Sequence, residues 1–276
     1  MSKIHRAFER DGVSCKAFIG FVTGGDPSIE KTEEFILEMV RAGAGLIEIG
    51  VPFSDPIAEG PVIQRANIRA LAAGTTVDKL FQLVERLRRK IETPLVFLTY
   101  LNPVFNYGYA AFFKKCREAG VDGIIIPDLP FEEQGEVREI SALYGVDLIS
   151  LIAPTSEERI KKIVQTAAGF LYLVSSLGVT GVRGEIKTDL VSIIDSVKSA
   201  ANRSATEPLA KLPAAVGFGI HTPAQAAEIA KIADGVIVGS AIVKIIEDRG
   251  EDAGRYIYRY VKEMKDAMSG AGRPLC

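Results

Sequence analysis

The sequence predicts an α/β protein folded as a single (β/α)8 barrel of parallel strands. Its 276 residues fit a barrel of roughly 250 residues better than a typical smaller domain. Apolar residues make up 47% of the chain and charged residues 25%, which is the balance of a globular protein. No linker or low-complexity segment divides the chain. We therefore expect one domain over residues 1–276.

Eight short, β-branched apolar runs are the predicted strands. They show little polar alternation, as expected where helices cover one face of a sheet and a barrel core fills the other. A doubly wound open sheet would give the same alternation of strands and helices, but eight runs in a chain of this length favour the barrel. The runs are Ala17–Val22, Leu46–Gly50, Leu95–Tyr100, Gly123–Ile126, Leu148–Ile152, Phe170–Val174, Ala215–Phe218 and Val236–Val238.

Helical patterns separate these strands. Apolar residues recur at three- and four-residue steps from Val77 to Ile91, and Thr155 and Glu158 have the spacing of a capping box. We also expect an additional helix at the amino terminus and a short phosphate-binding helix after strand eight. Glycine suits a left-handed C-cap, so several helices are predicted to end at Gly43, Gly120, Gly145 and Gly169.

Charge and cysteine content narrow the function classes. A net charge of −2 and a pI near 5.9 provide no positive field for nucleic acid. Cys15, Cys116 and Cys276 are widely spaced and form no CxxC pair, which favours a reducing compartment. The sequence has neither a signal-like terminus nor an apolar run long enough for a bilayer. We therefore expect a cytoplasmic protein without membrane or nucleic-acid partners.

Two connections are longer than the barrel requires. Ser175–Thr188 contains three glycines and follows the carboxyl end of a strand, where barrel active sites lie. It is a candidate lid, although an ordinary surface loop has the same spacing. Ser196–Leu212 is predicted to be a surface insertion.

Glycines after strands seven and eight indicate a phosphate site. Gly217-Phe218-Gly219 and Gly239-Ser240 lie where barrels bind phosphate, and glycine lets backbone N–H groups approach an anion. The alternative is that these glycines end strands for steric reasons. His221 precedes Thr222 and Pro223, a context that favours a helix-entry role over catalysis.

Glu48 is the leading catalytic candidate because it interrupts an apolar strand. An unpaired buried carboxylate is costly, so this residue is either paired with a cation or kept for proton transfer with a raised pKa. Asp55 and Glu59 lie in the loop after the same strand, and Asp128 follows strand four. Taken alone, Asp55 and Glu59 would more often be loop caps or solvated charges, whereas Asp128 adds another acid to the same rim.

Other chemistries are poorly supported by the sequence. With only His5 and His221, a histidine-rich metal centre is practically excluded, and no metal is expected. No predicted strand carries an interior lysine for a Schiff base. Acid–base chemistry by carboxylates on a phosphate-anchored substrate remains.

The sequence closely resembles the alpha chain of tryptophan synthase along almost its whole length. The matching motifs include Pro52-Phe53-Ser54-Asp55-Pro56 and Gly239-Ser240-Ala241-Ile242-Val243-Lys244. The resemblance implies a lyase that cleaves indole-3-glycerol phosphate to indole and glyceraldehyde 3-phosphate. Within it, Glu48 matches the catalytic glutamate, and Glu59 is by position the second acid.

The resemblance also implies the substrate contacts and a partner. The positions around the indole ring are Phe21, Tyr100, Leu129 and Tyr172, and those of the phosphate cradle and lid are Thr180, Gly181, Gly217, Phe218, Gly219, Gly239 and Ser240. Family members work with a beta chain, as an expected alpha2-beta2 tetramer, contacted partly through Asp55 and Thr180. Pyridoxal phosphate is expected only in that partner, and no cofactor in this chain.

Two departures from the family pattern stand out. The family has aspartate where this sequence has Glu59, so the carboxylate is one methylene further from the backbone. The Ser196–Leu212 connection is shorter in most relatives. Three alternatives remain at this point: a free-standing lyase, a catalytically weak regulatory subunit, and a sugar-phosphate isomerase on the same barrel, which the matched motifs disfavour.

Overall fold

Parallel strands at eight positions form a barrel in the computed structural model, which describes residues 3–10, 12–153, 156–174, 190–197, 199, 212–217 and 219–269. In chain order the barrel strands are β1 (Ala17–Thr23), β2 (Leu46–Gly50), β3 (Leu95–Leu98), β4 (Gly123–Ile125), β5 (Asp147–Leu148 and Ser150–Ile152), β6 (Leu171–Val174), β7 (Ala214–Gly217) and β8 (Gly235–Val238). The predicted barrel is confirmed, and the described boundaries lie within two residues of those predicted.

Helices cover the outside of the barrel. They are α1 (Ile29–Arg41), α2 (Pro61–Ala72), α3 (Val77–Arg88), α4 (Leu101–Tyr107), α5 (Tyr109–Ala119), α6 (Gly135–Leu143), α7 (Glu157–Thr166), α8 (190–197), α9 (Pro223–Ile232), α10 (Ser240–Arg249) and α11 (Gly254–Met268). In the described part of the chain, three short 3-10 helices occupy Lys3–Ala7, Phe131–Glu133 and Gly250–Ala253. A two-residue antiparallel pair, Glu9–Arg10 with Val13–Ser14, precedes β1.

Strand β5 closes the ring although it is interrupted at Ile149. Its first piece, Asp147–Leu148, pairs with β4, and its second piece, Ser150–Ile152, pairs with β6. The N–H of Ile149 donates to the carbonyl of Ile124 at 2.9 Å, so the interrupted residue still contacts β4. The remaining neighbours follow chain order, and β8 pairs with β1.

The amino-terminal end of the barrel interior is filled by apolar side chains. Ile4, Ala7 and Phe8 from the amino-terminal segment pack into the cluster formed by inward-facing strand residues such as Ile19 and Phe170. The expected additional helix is therefore present as the short 3-10 helix Lys3–Ala7. It closes the end opposite to the one where barrel active sites lie.

The helix ends agree with the predictions from the sequence, except at the start of α7. All four glycines predicted to end helices have positive φ, between 69° and 97°. The predicted capping box is wrong in its position, because the Oγ of Ser156 accepts from the N–H of Arg159 and caps α7. The helix starts at Glu157, and Thr155 lies outside the described residues.

Some sequence-based expectations are not tested by the described residues. Ser175–Thr188, the candidate lid, and most of Ser196–Leu212 lie outside them. Among the described helices, none combines the length and the apolar character that crossing a membrane requires. Cys116 is a buried free thiol.

Candidate active site

Glu48 lies inside the barrel because of the alternation along β2. Ile47 and Ile49 pack against the outer helices, so Leu46 and Glu48 face the interior. Glu48 is 1% exposed, and its Oε1 has no hydrogen-bond partner among the described residues. Burial raises the pKa of Glu48 from 4.5 to about 8. At neutral pH this side chain is mainly a neutral acid that can donate a proton.

Two aromatic residues lie close to Glu48. Phe21 is its cross-strand neighbour on β1, and both are in the barrel interior. Burial, with a further contribution from the charge of Glu48, raises the pKa of Tyr172 well above its usual value. The Tyr172 hydroxyl therefore stays protonated while Glu48 changes its charge. The site combines a titrating acid with aromatic walls that do not titrate near neutral pH.

Glycines at strand ends make room for these rings. A Cβ on Gly50 would lie 2.7 Å from Cζ of Phe21, and one on Gly239 would lie 3.3 Å from Cδ1 of the same ring. A Cβ on Gly217 would lie 2.5 Å from the hydroxyl oxygen of Tyr172. Gly217 and Gly239 therefore have a steric role, which was the alternative to phosphate binding in the sequence analysis. Glycines with this role can still lie beside a phosphate.

The loop carrying Glu59 is tied to β3 and to α2. The hydroxyl of Tyr100 accepts from the N–H of Ala58 at 2.9 Å. Glu59 is half-buried, and its Oε2 accepts from the Nδ2 of Asn67 at 2.7 Å. Burial raises the pKa of Glu59, while the hydrogen bond from Asn67 opposes that rise. A second acid, held differently from Glu48, thus lies at the mouth of the barrel.

The amino terminus of α10 has no side-chain cap. Gly239 is its N-cap residue and provides no side-chain hydrogen bond, which leaves the N–H groups of the first turn without a side-chain partner, an arrangement compatible with anion binding. Gly219, after β7, has a φ of 78°. His221 precedes the capping box of α9, as the sequence predicts. Thr180, Gly181 and Phe218 lie outside the described residues.

A cavity of about 500 Å³ opens beside the ends of β4, β5 and β6. Leu129, Leu151 and Val174 line it, together with Ala58 from the Glu59 loop. Asp128 has a structural role here, because its Oδ1 accepts from the N–H of Leu101 at the start of α4. Asp55 is exposed on the loop, where it accepts from Ser54.

The sequence did not reveal two features of the site. Asn67 lies on the buried stripe of α2 and contacts Glu59. Arg69, two residues later, makes a bidentate ion pair with Asp26 and also contacts Glu247 of α10. An asparagine on an apolar helical stripe is a usable signal for the first feature. The second depends on residues far apart in the chain.

A parallel β/α barrel with two differently held acids at the carboxyl ends of its strands defines an enzyme that uses acid–base chemistry. The family model for the tryptophan synthase alpha chain matches residues 10–269. The chain is 44% identical over 268 residues to the tryptophan synthase alpha chain of Lacticaseibacillus casei, covering 97% of this chain and 96% of that one. It is 48% identical over 256 residues to that of Lactiplantibacillus plantarum, covering 92% and 93%.

Solved structures agree with the sequence comparison. The tryptophan synthase alpha chain of Legionella pneumophila has a TM-score of 0.85 at 37% identity, covering 99% of both chains. A chain of the tryptophan synthase α2β2 complex of Pyrococcus furiosus has a TM-score of 0.80 at 37% identity, covering 90% of this chain and 97% of that one. The protein belongs to the tryptophan synthase alpha chain family. It is a lyase of tryptophan biosynthesis that cleaves indole-3-glycerol phosphate, and the alternative functions are not favoured.

Proposed function

We propose that Glu48 and Glu59 carry out the cleavage of indole-3-glycerol phosphate, with Glu48 as the proton donor and acceptor. One observation carries this assignment: the carboxyl group of Glu48 is buried with no cation beside it among the described residues, and its pKa is raised to about 8. A neutral acid in an apolar site is suited to protonate carbon at neutral pH. No cofactor is needed in this chain for that step.

The proposed reaction begins with proton transfer to the indole ring. The carboxyl group of Glu48 donates its proton to C3, and the carboxylate of Glu59 accepts the hydrogen bond of the ring N–H, whose positive charge rises. The Glu48 carboxylate then takes the proton of the glycerol hydroxyl. The bond between C3 and the glycerol carbon breaks, its electron pair returns to the ring, and a carbonyl forms. Glu48 ends the cycle protonated.

The substrate contacts divide into an aromatic side and a phosphate side. We propose that the indole ring is held by Phe21, Tyr100, Leu129 and Tyr172, which are all buried residues. The phosphate would bind the backbone N–H groups at the start of α10. The residues assigned to that cradle are Gly217, Phe218, Gly219, Gly239 and Ser240, with Thr180 and Gly181 from the candidate lid.

A beta chain is the proposed partner, in an α2β2 tetramer, and pyridoxal phosphate would be bound by that partner. The P. furiosus relative whose structure is an α2β2 complex supports this assembly. Asp55 and Thr180 would couple the two subunits. Ile57, in the same loop as Asp55, is 81% exposed, as an interface residue is before assembly. A single domain over residues 1–276 and a cytoplasmic location remain predictions.

Indole release from indole-3-glycerol phosphate by the purified chain tests the activity. We expect measurable release without any partner and a faster rate when cognate beta chain is added. The beta-chain titration needs a sizing experiment alongside it. Unchanged indole formation at every ratio, with no complex on sizing, would contradict the subunit assignment but not the lyase assignment.

A further inference from the structure

We propose that Asn67 is a positioning residue that holds the carboxylate of Glu59 in the orientation needed for the substrate. The proposal rests on the role of Glu59 given above. Asn67 does not need to touch the substrate itself, because its effect would act through Glu59.

Asn67 lies at an unusual place for a polar side chain. The buried positions of α2 are Ile63, Ala66, Asn67 and Ala70, which form one helical stripe. Asn67 is 3% exposed, and burying its amide without a partner would cost stability. The Nδ2 of this amide donates to Oε2 of Glu59 at 2.7 Å. The buried stripe of α2 therefore carries a polar residue, Asn67, at the position from which its side chain reaches Glu59.

The backbone and the side chain of Glu59 are held by different residues. The Nε2 of Gln64 donates to the backbone carbonyl of Glu59 at 2.8 Å. Tyr100 holds the preceding residue, Ala58. Neither contact orients the carboxylate, which sits at the end of a flexible side chain. The hydrogen bond from Asn67 does so, and it occupies Oε2 while leaving Oε1 for the substrate.

Helix α2, which carries Asn67, is itself held in place by ion pairs. Arg69 of the same helix donates to both oxygens of Asp26, at 2.8 and 2.7 Å, and contacts Glu247 of α10 at 3.3 Å. These contacts tie α2 to the loop after β1 and to α10, whose amino terminus is the proposed phosphate site. An acid oriented from a fixed helix is more precisely placed than one oriented by its own loop.

The test is a double-mutant cycle read by single-turnover indole release from indole-3-glycerol phosphate. Asn67→Ala removes the donor, and Asn67→Leu removes it while filling the buried stripe, which protects against a variant that fails to fold. Each is made in the wild-type chain and in Glu59→Ala. Gln64→Ala is the matched control, because it removes an amide of the same helix that contacts only the backbone of Glu59.

We expect both Asn67 variants to lower the single-turnover rate constant by about tenfold or more in the wild-type chain, as for a lost hydrogen bond to a charged group. The KM should change little, and the Gln64 variant should stay within about twofold of wild type. In the Glu59→Ala chain the Asn67 variants should have almost no further effect.

The outcomes separate this proposal from the one on which it rests. An Asn67 effect of equal size in both backgrounds, or no effect in either while Glu59→Ala is slow, would overturn the positioning role and leave Glu59 in the mechanism. A Glu59→Ala chain with the wild-type rate would instead remove Glu59 from the mechanism, and the role of Asn67 with it.

Discussion

Two fully buried carboxyl groups in this barrel have opposite surroundings. Asp26, in the loop after β1, accepts two hydrogen bonds from the guanidinium of Arg69, so its charge is compensated. Glu48, inside β2, faces apolar and aromatic side chains, and its Oε1 has no partner in the described part of the chain. Burial is the same for both, and the presence of a cation is what differs.

The comparison shows why burial alone does not identify a catalytic acid. A buried carboxylate paired with arginine joins two parts of the fold, and removing one partner disturbs that connection. A buried carboxyl group without a cation keeps its proton to a higher pH, which makes it available for proton transfer. The first arrangement stabilises the fold, and the second allows proton transfer. Substitution of Asp26 should therefore mainly lower stability, and substitution of Glu48 should mainly lower activity.

The largest expected effect is the loss of turnover in Glu48→Gln. Glutamine keeps the shape of the side chain and removes the acidic proton, so kcat should fall by roughly 10²–10⁴-fold or more. Binding of a phosphate-bearing indole analogue should stay similar, because the contacts of α10 are unchanged. Steady-state kinetics and analogue titration measure both quantities. Near-normal turnover would remove Glu48 from the mechanism.

Substitution of Glu59 should lower turnover about as strongly as substitution of Glu48, although Glu59 is only half-buried. Glu59→Gln is expected to lower the chemical step by roughly 10²–10⁴-fold, well beyond the effect of altering a solvated loop charge. Glu59→Asp should retain more activity than glutamine, because it keeps an acid at the position where the family has aspartate. Single-turnover indole release separates this step from product release. Equal rates for wild type and both variants would make Glu59 a loop residue only.

Asp26→Asn should lower stability more than catalysis. Breaking a fully buried ion pair by removing one partner typically costs about 3–5 kcal/mol, and a smaller loss is expected here because Arg69 is partly exposed and keeps its contact with Glu247. Denaturant unfolding measures the loss, with Lys262→Gln as a control that removes an exposed pair with Asp266. The rate constant of indole release should change far less than in Glu48→Gln. A stability within about 0.5 kcal/mol of wild type would mean that the pair contributes nothing.

The stability of the chain should depend on pH through Glu48. The pKa of Glu48 is raised from 4.5 to about 8 in the folded chain, so folding favours its protonated form. Between these pH values the unfolded chain releases this proton and the folded chain keeps it. Wild type should therefore lose about 1.4 kcal/mol per pH unit relative to Glu48→Gln as pH rises through this window.

Below the lower of those values, both states are protonated and the stability difference between the two chains should be constant. Denaturant unfolding of both chains at a series of pH values gives the difference directly, and contributions from other groups cancel. A difference that does not change with pH would mean that Glu48 has an ordinary pKa in the folded protein.

Most of the fold could be predicted from the sequence, because the patterns that mark its strands and helices are local and repeated. Leu46–Gly50 is an apolar run interrupted only by Glu48, and the structure has the same strand. Gly120 has a φ of 91° at the end of α5, as its position between a helical pattern and an apolar run predicts. The interruption of β5 at Ile149 was not readable, because it depends on two different neighbouring strands.

The site was readable only in part, for a physical reason. Glu48 could be found because a carboxylate in an apolar strand is conspicuous without knowledge of its neighbours. The pairing of Arg69 with Asp26 and Glu247 spans 43 and 178 residues, so no local pattern predicts it. Asp128 accepts from the N–H of Leu101 at the start of α4, a contact that could not be predicted because only the position of Leu101 in space reveals it.

The pH dependence of single-turnover indole release tests the central claim most directly, because the proposed reaction begins with a protonated Glu48. With saturating indole-3-glycerol phosphate, we expect the rate constant to hold across neutral pH and to fall above a pKa of about 8. A rate constant that continues to rise as pH passes through and beyond that value would contradict the account, since it would require Glu48 to begin the reaction as a carboxylate.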